Sequence, residues 1–224
     1  MPTIELHNPH HDEGIAAMVQ APAGSPRGTI ILLQEIFGLD HNMCADADRW
    51  VAAGFHVIMP SLFDRVQRGF LAKHDKAGFA AGFAAMGETP DEQAIDDVRA
   101  CIGWAKINAE GPIFVIGYCY GGRLAWLAAN GCDGIAGAAV YYGDVLRHAD
   151  VAPRCPLICH FGGKDPFLPG ERFVNGIRDR HPTVPAHNYA NSGHGFNNSG
   201  TPDADPRDAD LARRRTLAFF SAIS

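Results

Sequence analysis

The sequence lacks the features that direct a chain to membranes or to nucleic acid. It has no apolar run near the roughly 18 residues that a membrane-spanning helix needs, and no charged leader followed by an apolar core at its amino terminus. Acidic residues outnumber basic ones by 25 to 19, and a net charge of −6 disfavours a polyanionic partner. The one basic run, residues 213–215, falls in a predicted amphipathic helix. We therefore expect a cytoplasmic protein whose partner is neither a membrane nor a nucleic acid.

Cysteine is scarce as well. The six cysteines among 224 residues form no disulfide framework, and we expect them to be reduced thiols. Cys155 and Cys159 flank a predicted strand at a spacing unlike that of zinc ligands. The sequence thus predicts no metal site.

Predicted strands alternate with predicted helices along most of the chain. This alternation indicates the α/β class, with a mostly parallel central sheet and helices on both faces. The chain is shorter than the roughly 250–300 residues at which a single core stops growing, so we expect one domain over residues 1–224. The predicted strands are 29–33, 56–59, 113–116, 137–142, 157–161 and 186–189, after an early hairpin around 15–19. The predicted helices are 43–53, 90–108, 122–129, 170–180 and 206–222.

Residues 64–88 interrupt the alternation. The segment is rich in glycine, alanine and phenylalanine and has no clear period. A helical excursion at the carboxyl ends of the strands would form a lid over a site. A pair of surface helices that pack on each other explains the composition equally well.

Cys119 carries the strongest functional signal. An apolar run, residues 113–116, leads into Gly117-Tyr-Cys-Tyr-Gly121, and a helical stretch follows. This is the pattern of a nucleophile elbow, a strained strand-to-helix turn, with a thiol where a serine is usual. Gly117 and Gly121 let strand and helix approach, and the helix N-terminus favours negative charge on the sulfur. No serine lies in Gly-x-Ser-x-Gly, and a merely structural cysteine fits the tip of this turn poorly.

Asp165 and His194 complete the order nucleophile, acid, histidine. Asp165 follows strand 157–161 in Gly-Gly-Lys-Asp-Pro, and His194 follows strand 186–189 in Gly-His-Gly. Both lie at the sheet edge that carries the elbow, with His194 as general base and later acid and Asp165 fixing its tautomer. An aspartate before proline is also typical of a turn, so it is the order and the strand-end positions together that predict the triad.

The loop after the first long strand reads Gln34-Glu-Ile-Phe-Gly38. We expect the amides of Ile36 and Tyr120 to form an oxyanion hole. A glutamate in an apolar run is unusual, because a buried carboxylate costs free energy unless it is paired. We therefore expect Glu35 to point towards the Cys119 thiol.

These motifs resemble the dienelactone hydrolase family, the carboxymethylenebutenolidases. The matching segments occur in the family's order over nearly the whole chain: 34–38, 117–122, 141–143, 162–165 and 193–196. The resemblance implies an α/β-hydrolase fold and a Cys-His-Asp triad that cleaves a strained or activated lactone through an acyl-enzyme thioester. It also implies that Glu35 is the partner of the thiol. Its charge disfavours the thiolate and protects the resting thiol from oxidation, until substrate moves the carboxylate and it takes the thiol proton.

The residues expected to bind substrate depart from the family pattern. The family's enzymes hold a substrate carboxylate with arginines, one of them shortly after the histidine. Here residues 196–199 contain no arginine, and close to the position expected for the other arginine, in the lid region, lie only Lys73, His74 and Lys76. Asparagine supplies hydrogen bonds without the charge or the bidentate fork of arginine. The predicted substrate-binding residues are Phe37, Lys76 and Asn198.

Three functions stay open from the sequence. The first is a hydrolase of the dienelactone hydrolase type, acting on a small-molecule lactone or ester as a monomer or small homo-oligomer. The second is an acyl hydrolase for an unrelated ester or thioester. The third is a non-catalytic α/β-hydrolase-like protein that binds a ligand or senses oxidants through its thiol, although a binder has no need of Asp165 behind His194. A triad and two amides suffice for acyl transfer, so no cofactor is expected.

Overall fold

The computed structural model describes residues 1–8, 11 and 13–223. In these residues the strands form one eight-stranded sheet with the order β1-β2-β4-β3-β5-β6-β7-β8. The strands are β1 (Thr3–Leu6), β2 (Ile15–Gln20), β3 (Thr29–Leu33), β4 (His56–Pro60), β5 (Ile113–Tyr118), β6 (Gly137–Tyr141), β7 (Leu157–Gly162) and β8 (Ala186–Tyr189). Strand β2 pairs antiparallel with β1 and β4, and every other pair is parallel.

The helices lie close to their predicted positions. They are α1 (His41–Ala52), α2 (Lys76–Glu88), α3 (Asp91–Asn108), α4 (Tyr120–Gly131), α5 (Gly170–Arg180) and α6 (Pro206–Ala222), with a short 3-10 helix at Leu146–His148. Among the described residues, no helix combines the length and the apolar character that a bilayer span requires. All six cysteines are free thiols.

The core has two layers, because strand side chains alternate between the faces of the sheet. On β3, Ile31 and Leu33 belong to one buried cluster, with residues of α3, α4 and α5. Ile30 and Leu32 belong to the other, with residues of α1 and α6. The predicted mostly parallel sheet with helices on both faces is confirmed.

Five neighbouring parallel strands, β3 and β5 to β8, end at the same edge of the sheet. The loop at 34–40 follows β3, Cys119 follows β5, and Tyr142 follows β6. Asp165 and His194 come shortly after β7 and β8. The topology therefore gathers every residue of the predicted triad at one edge.

Segment 64–88 contains one α-helix rather than two. Turns occupy residues 62–69, and α2 begins after Asp75, whose side chain accepts a hydrogen bond from the Gly78 amide at 2.8 Å. A Cβ on Gly82 would overlap the carbonyl oxygen of Ile36, so this face of α2 rests directly on the loop after β3. The expectation of a surface helix pair is wrong, and the helical excursion lies at the carboxyl edge of the sheet.

Beneath this edge, His160 on β7 is fully buried in a polar network. Its Nδ1 lies 2.9 Å from the Tyr189 hydroxyl and its Nε2 lies 3.0 Å from Thr216 Oγ1. The Tyr141 hydroxyl is 2.8 Å from the same Thr216 oxygen, so the network joins β6, β7, β8 and α6. Burial holds the pKa of His160 well below its ordinary value.

The lowered pKa of His160 makes stability depend on pH. Below about pH 6.5 the unfolded chain binds a proton that the folded chain does not, so the free energy of unfolding falls by up to about 1.4 kcal/mol per pH unit for this group. Urea unfolding at about pH 7 and about pH 5 should show a smaller acid loss in His160→Gln than in wild type. The exposed His41 supplies the control: an equal change of slope in His41→Gln would contradict the prediction.

Candidate active site

Cys119 occupies a strained turn between β5 and α4. Its backbone has φ 51° and ψ −109°, and in the described residues only Tyr142 shares a positive φ among non-glycine residues. Such a conformation is costly for a side chain with a Cβ and persists only where neighbours enforce it. The Cys119 amide donates to the Tyr141 carbonyl at 3.0 Å, and the Gly121 amide donates to the Gln34 carbonyl at 3.0 Å. These two bonds fix the turn against β6 and against the loop after β3.

Two glycines make the turn sterically feasible. A Cβ on Gly117 would overlap the Gly121 carbonyl oxygen, and one on Gly121 would overlap the carbonyl oxygens of Leu33 and Gln34. The close packing predicted for Gly117 and Gly121 is therefore present in the fold. Helix α4 starts at Tyr120, two residues before its predicted start, because it continues directly from the elbow.

Cys119, His194 and Asp165 form a continuous chain of contacts. His194 Nε2 lies 3.2 Å from Cys119 Sγ, and His194 Nδ1 lies 2.6 Å from Asp165 Oδ2. The second Asp165 oxygen accepts from the amides of Phe167 at 2.8 Å and Leu168 at 2.9 Å. Both carboxylate oxygens are thus engaged, and the imidazole is held between acid and thiol.

The electrostatics of the three groups follow from these contacts. Burial alone would lower the pKa of His194, but an ionised Cys119 sulfur and the Asp165 carboxylate outweigh it and raise the pKa to about 11 while the sulfur is ionised. Burial likewise opposes ionisation of Asp165, yet the hydrogen bond and charge of His194 lower the pKa of this carboxyl. His194 is therefore a strong proton acceptor beside an ionised aspartate.

The two predicted oxyanion donors lie on either side of the elbow. Ile36 is in the loop that the Gly121–Gln34 hydrogen bond holds against α4, and Tyr120 is the first residue of α4. Within the described part of the chain, neither amide donates a hydrogen bond to a protein acceptor. Two buried backbone donors next to a nucleophile elbow can accept a negative oxygen.

Glu35 is 5% exposed, and its carboxylate accepts a short hydrogen bond from the Asn198 amide group. Burial raises the pKa of Glu35, against the lowering effects of the Asn198 hydrogen bond and the His194 charge. No hydrogen bond joins Glu35 to Cys119 in the described residues. The carboxylate thus interacts with His194 and is held by Asn198, and its expected approach to the thiol stays a prediction.

The predicted substrate-binding residues have different surroundings. Phe37 is buried and stacks on the His74 ring at 4.0 Å, with Phe79 of α2 edge-on at 5.0 Å. Lys76 is exposed on the first turn of α2 and, in the described residues, forms no ion pair or hydrogen bond. Asn198 uses both polar ends internally, since its Oδ1 accepts from the Gly200 amide at 2.9 Å. Of the three, Phe37 belongs to the loop after β3 and Asn198 contacts the Glu35 carboxylate, whereas Lys76 does neither.

Two aromatic residues at the site were not assigned a role from the sequence. The Tyr142 ring lies 5.2 Å from the His194 ring, and the Phe167 ring lies 5.8 Å from it. Tyr142 belongs to a motif seen in the sequence, whereas Phe167 has no local signal beyond its place two residues after Asp165. Among the described residues, no group of three histidine, cysteine or acidic side chains is arranged to hold a metal ion.

Comparison with known proteins identifies the family. The model of the dienelactone hydrolase family matches residues 15–224. The chain belongs to this family. It is 32% identical to a protein of Azospirillum brasilense provisionally named a carboxymethylenebutenolidase, over 96% of this chain and 97% of the relative. It is 29% identical to the carboxymethylenebutenolidase of Pseudomonas putida, over 92% of this chain and 91% of the relative.

Solved structures confirm the α/β-hydrolase fold. A crystal structure from Klebsiella pneumoniae, provisionally named a dienelactone hydrolase, superposes with a TM-score of 0.85 at 23% identity and covers 98% of both chains. An alpha-beta serine hydrolase homologue from Coxiella burnetii has a TM-score of 0.67 at 14% identity and covers 100% of this chain and 97% of its own. The family membership confirms the prediction of an enzyme, a hydrolase of the carboxylic ester class.

The buried pair of Glu35 and Asn198 gives a testable prediction. In Asn198→Ala the carboxylate loses its Asn198 donor and keeps Tyr142, and the free energy of unfolding should fall by about 1–3 kcal/mol. The pKa of Glu35 is already raised, so the loss should be largest above that pKa, where the carboxylate is charged, and should shrink as falling pH protonates it. Asn197→Ala is the matched control, and an equal loss in both variants at every pH of a urea-unfolding series would contradict the role of Asn198.

Proposed function

We propose that the protein hydrolyses a lactone or an activated carboxylic ester with a Cys119-His194-Asp165 triad, through an acyl-enzyme thioester. The observation that carries the proposal is the contact chain at the elbow, with 3.2 Å from sulfur to imidazole and 2.6 Å from imidazole to carboxylate. The order along the chain and the strained turn at Cys119 agree with it.

In the first half-reaction, His194 Nε2 takes the thiol proton as Cys119 Sγ attacks the carbonyl carbon. The carbonyl oxygen becomes negative and accepts hydrogen bonds from the amides of Ile36 and Tyr120. The imidazolium then gives its proton to the leaving alkoxide, the C–O bond breaks, and a thioester to Cys119 remains. The raised pKa of His194 suits it to hold the proton between these two events.

In the second half-reaction, His194 takes a proton from water, and the resulting hydroxide attacks the thioester. The same two amides stabilise the second oxyanion, and the sulfur leaves and regains its proton from His194. Asp165 accepts a hydrogen bond from the Nδ1–H of His194 throughout, and the amides of Phe167 and Leu168 keep the Asp165 carboxylate from rotating. Water is the only co-reactant.

Glu35 has a separate role in this proposal, as a carboxylate that controls the charge of the thiol. Its raised pKa makes it a proton acceptor at a pH closer to neutral than an exposed glutamate. Its negative charge beside the elbow opposes premature formation of the thiolate. Substrate that displaces the carboxylate from Asn198 would let Glu35 accept the thiol proton first and pass it to His194 Nε2, so that the same single proton reaches the leaving alkoxide.

The substrate class rests on the relatives and on the site. The curated relatives are named carboxymethylenebutenolidases, which supports a lactone. Residues 196–199 contain no arginine, and Asn198 in that segment is bound to Glu35, so the segment supplies no cation for a substrate carboxylate. This favours an unrelated ester or thioester as the second candidate, with the same chemistry at Cys119.

We further propose α2 as the lid of a single domain, because its Gly82 face covers Ile36.

The triad predicts a simple pattern of activities. Wild type, Cys119→Ser and Cys119→Ala are assayed on cis- and trans-dienelactone beside p-nitrophenyl acetate. Cys119→Ala should lower turnover of every substrate that wild type cleaves by at least about a thousandfold, because the covalent intermediate cannot form. Unchanged circular dichroism controls for folding. Activity that persists in Cys119→Ala would exclude the thioester mechanism, and ester turnover without dienelactone turnover would select the second candidate.

Glu35→Gln tests the proton acceptor. Glutamine has nearly the same shape and keeps an oxygen for the Asn198 donor, so the fold should persist. Turnover should fall about a hundredfold, the usual contribution of a positioned acid or base. Glu171→Gln, on the first turn of α5, serves as the surface control. Kinetics equal to wild type in Glu35→Gln would remove the proposed role.

A further inference from the structure

Phe167 is 73% exposed, yet it stands beside the histidine of the site. Its ring centre lies 5.8 Å from the His194 ring in an edge-to-face arrangement, with an angle of 87° between the planes. The Phe167 amide donates to Asp165 Oδ1 at 2.8 Å. The carboxylate that orients His194 therefore also fixes the backbone that carries Phe167.

The chemistry of the histidine says which part of a substrate Phe167 meets. Asp165 engages Nδ1 of His194, and Nε2 faces the Cys119 sulfur. In acyl transfer the leaving alkoxide takes its proton from this Nε2, so the leaving group must lie within hydrogen-bond reach of it. A leaving group in that position lies against the same imidazole as the Phe167 ring, whose centre is 5.8 Å from the His194 ring centre.

The surroundings of His194 are aromatic and acidic. The Tyr142 ring lies 5.2 Å from the imidazole, and Phe196 packs against Tyr142 at 5.4 Å. The carboxylates of Asp165 and Glu35 interact electrostatically with His194, and no lysine or arginine pairs with either one in the described residues. An anionic leaving group meets repulsion here, whereas an apolar one covers the exposed ring.

We propose that Phe167 is a specificity residue that contacts the leaving group and favours esters of aromatic or bulky apolar alcohols. The proposal rests on the triad function described above and narrows its substrate class. A stacked or edge-on contact between the Phe167 ring and an aromatic leaving group accounts for the preference. This contact exists only while the leaving group is attached to the acyl group.

The test compares two acetates that give the same acetyl-enzyme, phenyl acetate and trifluoroethyl acetate. Because deacylation is common to both, a leaving-group contact changes kcat/KM and leaves any limit set by deacylation unchanged. Phe167→Ala should lower kcat/KM for phenyl acetate about fivefold and change that for trifluoroethyl acetate by less than about twofold. Phe167→Tyr keeps the ring and should retain the wild-type ratio of the two esters.

Phe83→Ala is the matched control, since Phe83 is 54% exposed and its ring contact is with Phe79 on α2. Equal losses on both esters in Phe167→Ala would assign Phe167 to support of the Asp165 loop and overturn the proposal. An unchanged kcat/KM for phenyl acetate, or an equal effect in Phe83→Ala, would overturn it as well. Activity that persists in Cys119→Ala would instead remove the triad function on which the proposal rests, whereas a wild type inactive on phenyl acetate but active on dienelactone would overturn the preference and keep the triad.

Discussion

The left-handed backbone at Cys119 is the constraint on which the rest of the site depends. A residue with a Cβ stays in that conformation because β6 accepts its amide and because the loop after β3 accepts the amide of Gly121. Those hydrogen bonds require strand, turn and helix to lie almost in backbone contact, which only Gly117 and Gly121 permit. In the described residues, the same approach leaves the Ile36 and Tyr120 amides without protein acceptors. Strain at one residue thus accompanies the close placement of the proposed nucleophile and the two predicted donors.

Around this turn, the acids of the site have opposite tendencies. Asp165 is held ionised by the histidine and by two backbone amides, whereas burial raises the pKa of Glu35 in spite of hydrogen bonds from Asn198 and Tyr142. One carboxylate is suited to a constant charge and the other to a change of protonation state. Two acids with separated pKa values next to one histidine give the site a permanent orienting group and a switchable one.

The sequence was most informative where the signal is local. Periodicity located the strands that end at the site, and the glycine-flanked Cys119 and His194 are the nucleophile and base that the sequence predicts. It was least informative for side-chain pairs that are distant along the chain. Asn198 was expected to bind substrate, and its attachment to Glu35 has no local pattern because 163 residues separate them. Phe167 was missed for a related reason: nothing in Asp-Pro-Phe indicates that its ring lies beside a histidine 27 positions onward.

The spacing of the site along the chain also bears on how the protein folds. Cys119 meets His194 across 75 residues, and Glu35 meets Asn198 across 163. Contacts of this length form late, because loop-closure entropy opposes them until the intervening structure exists. During synthesis the elbow thiol is therefore complete well before its base, which joins it only when β8 has added to the edge of the sheet. The site is therefore complete only after β8 has paired with β7, and a chain that stops before β8 carries the cysteine without its histidine.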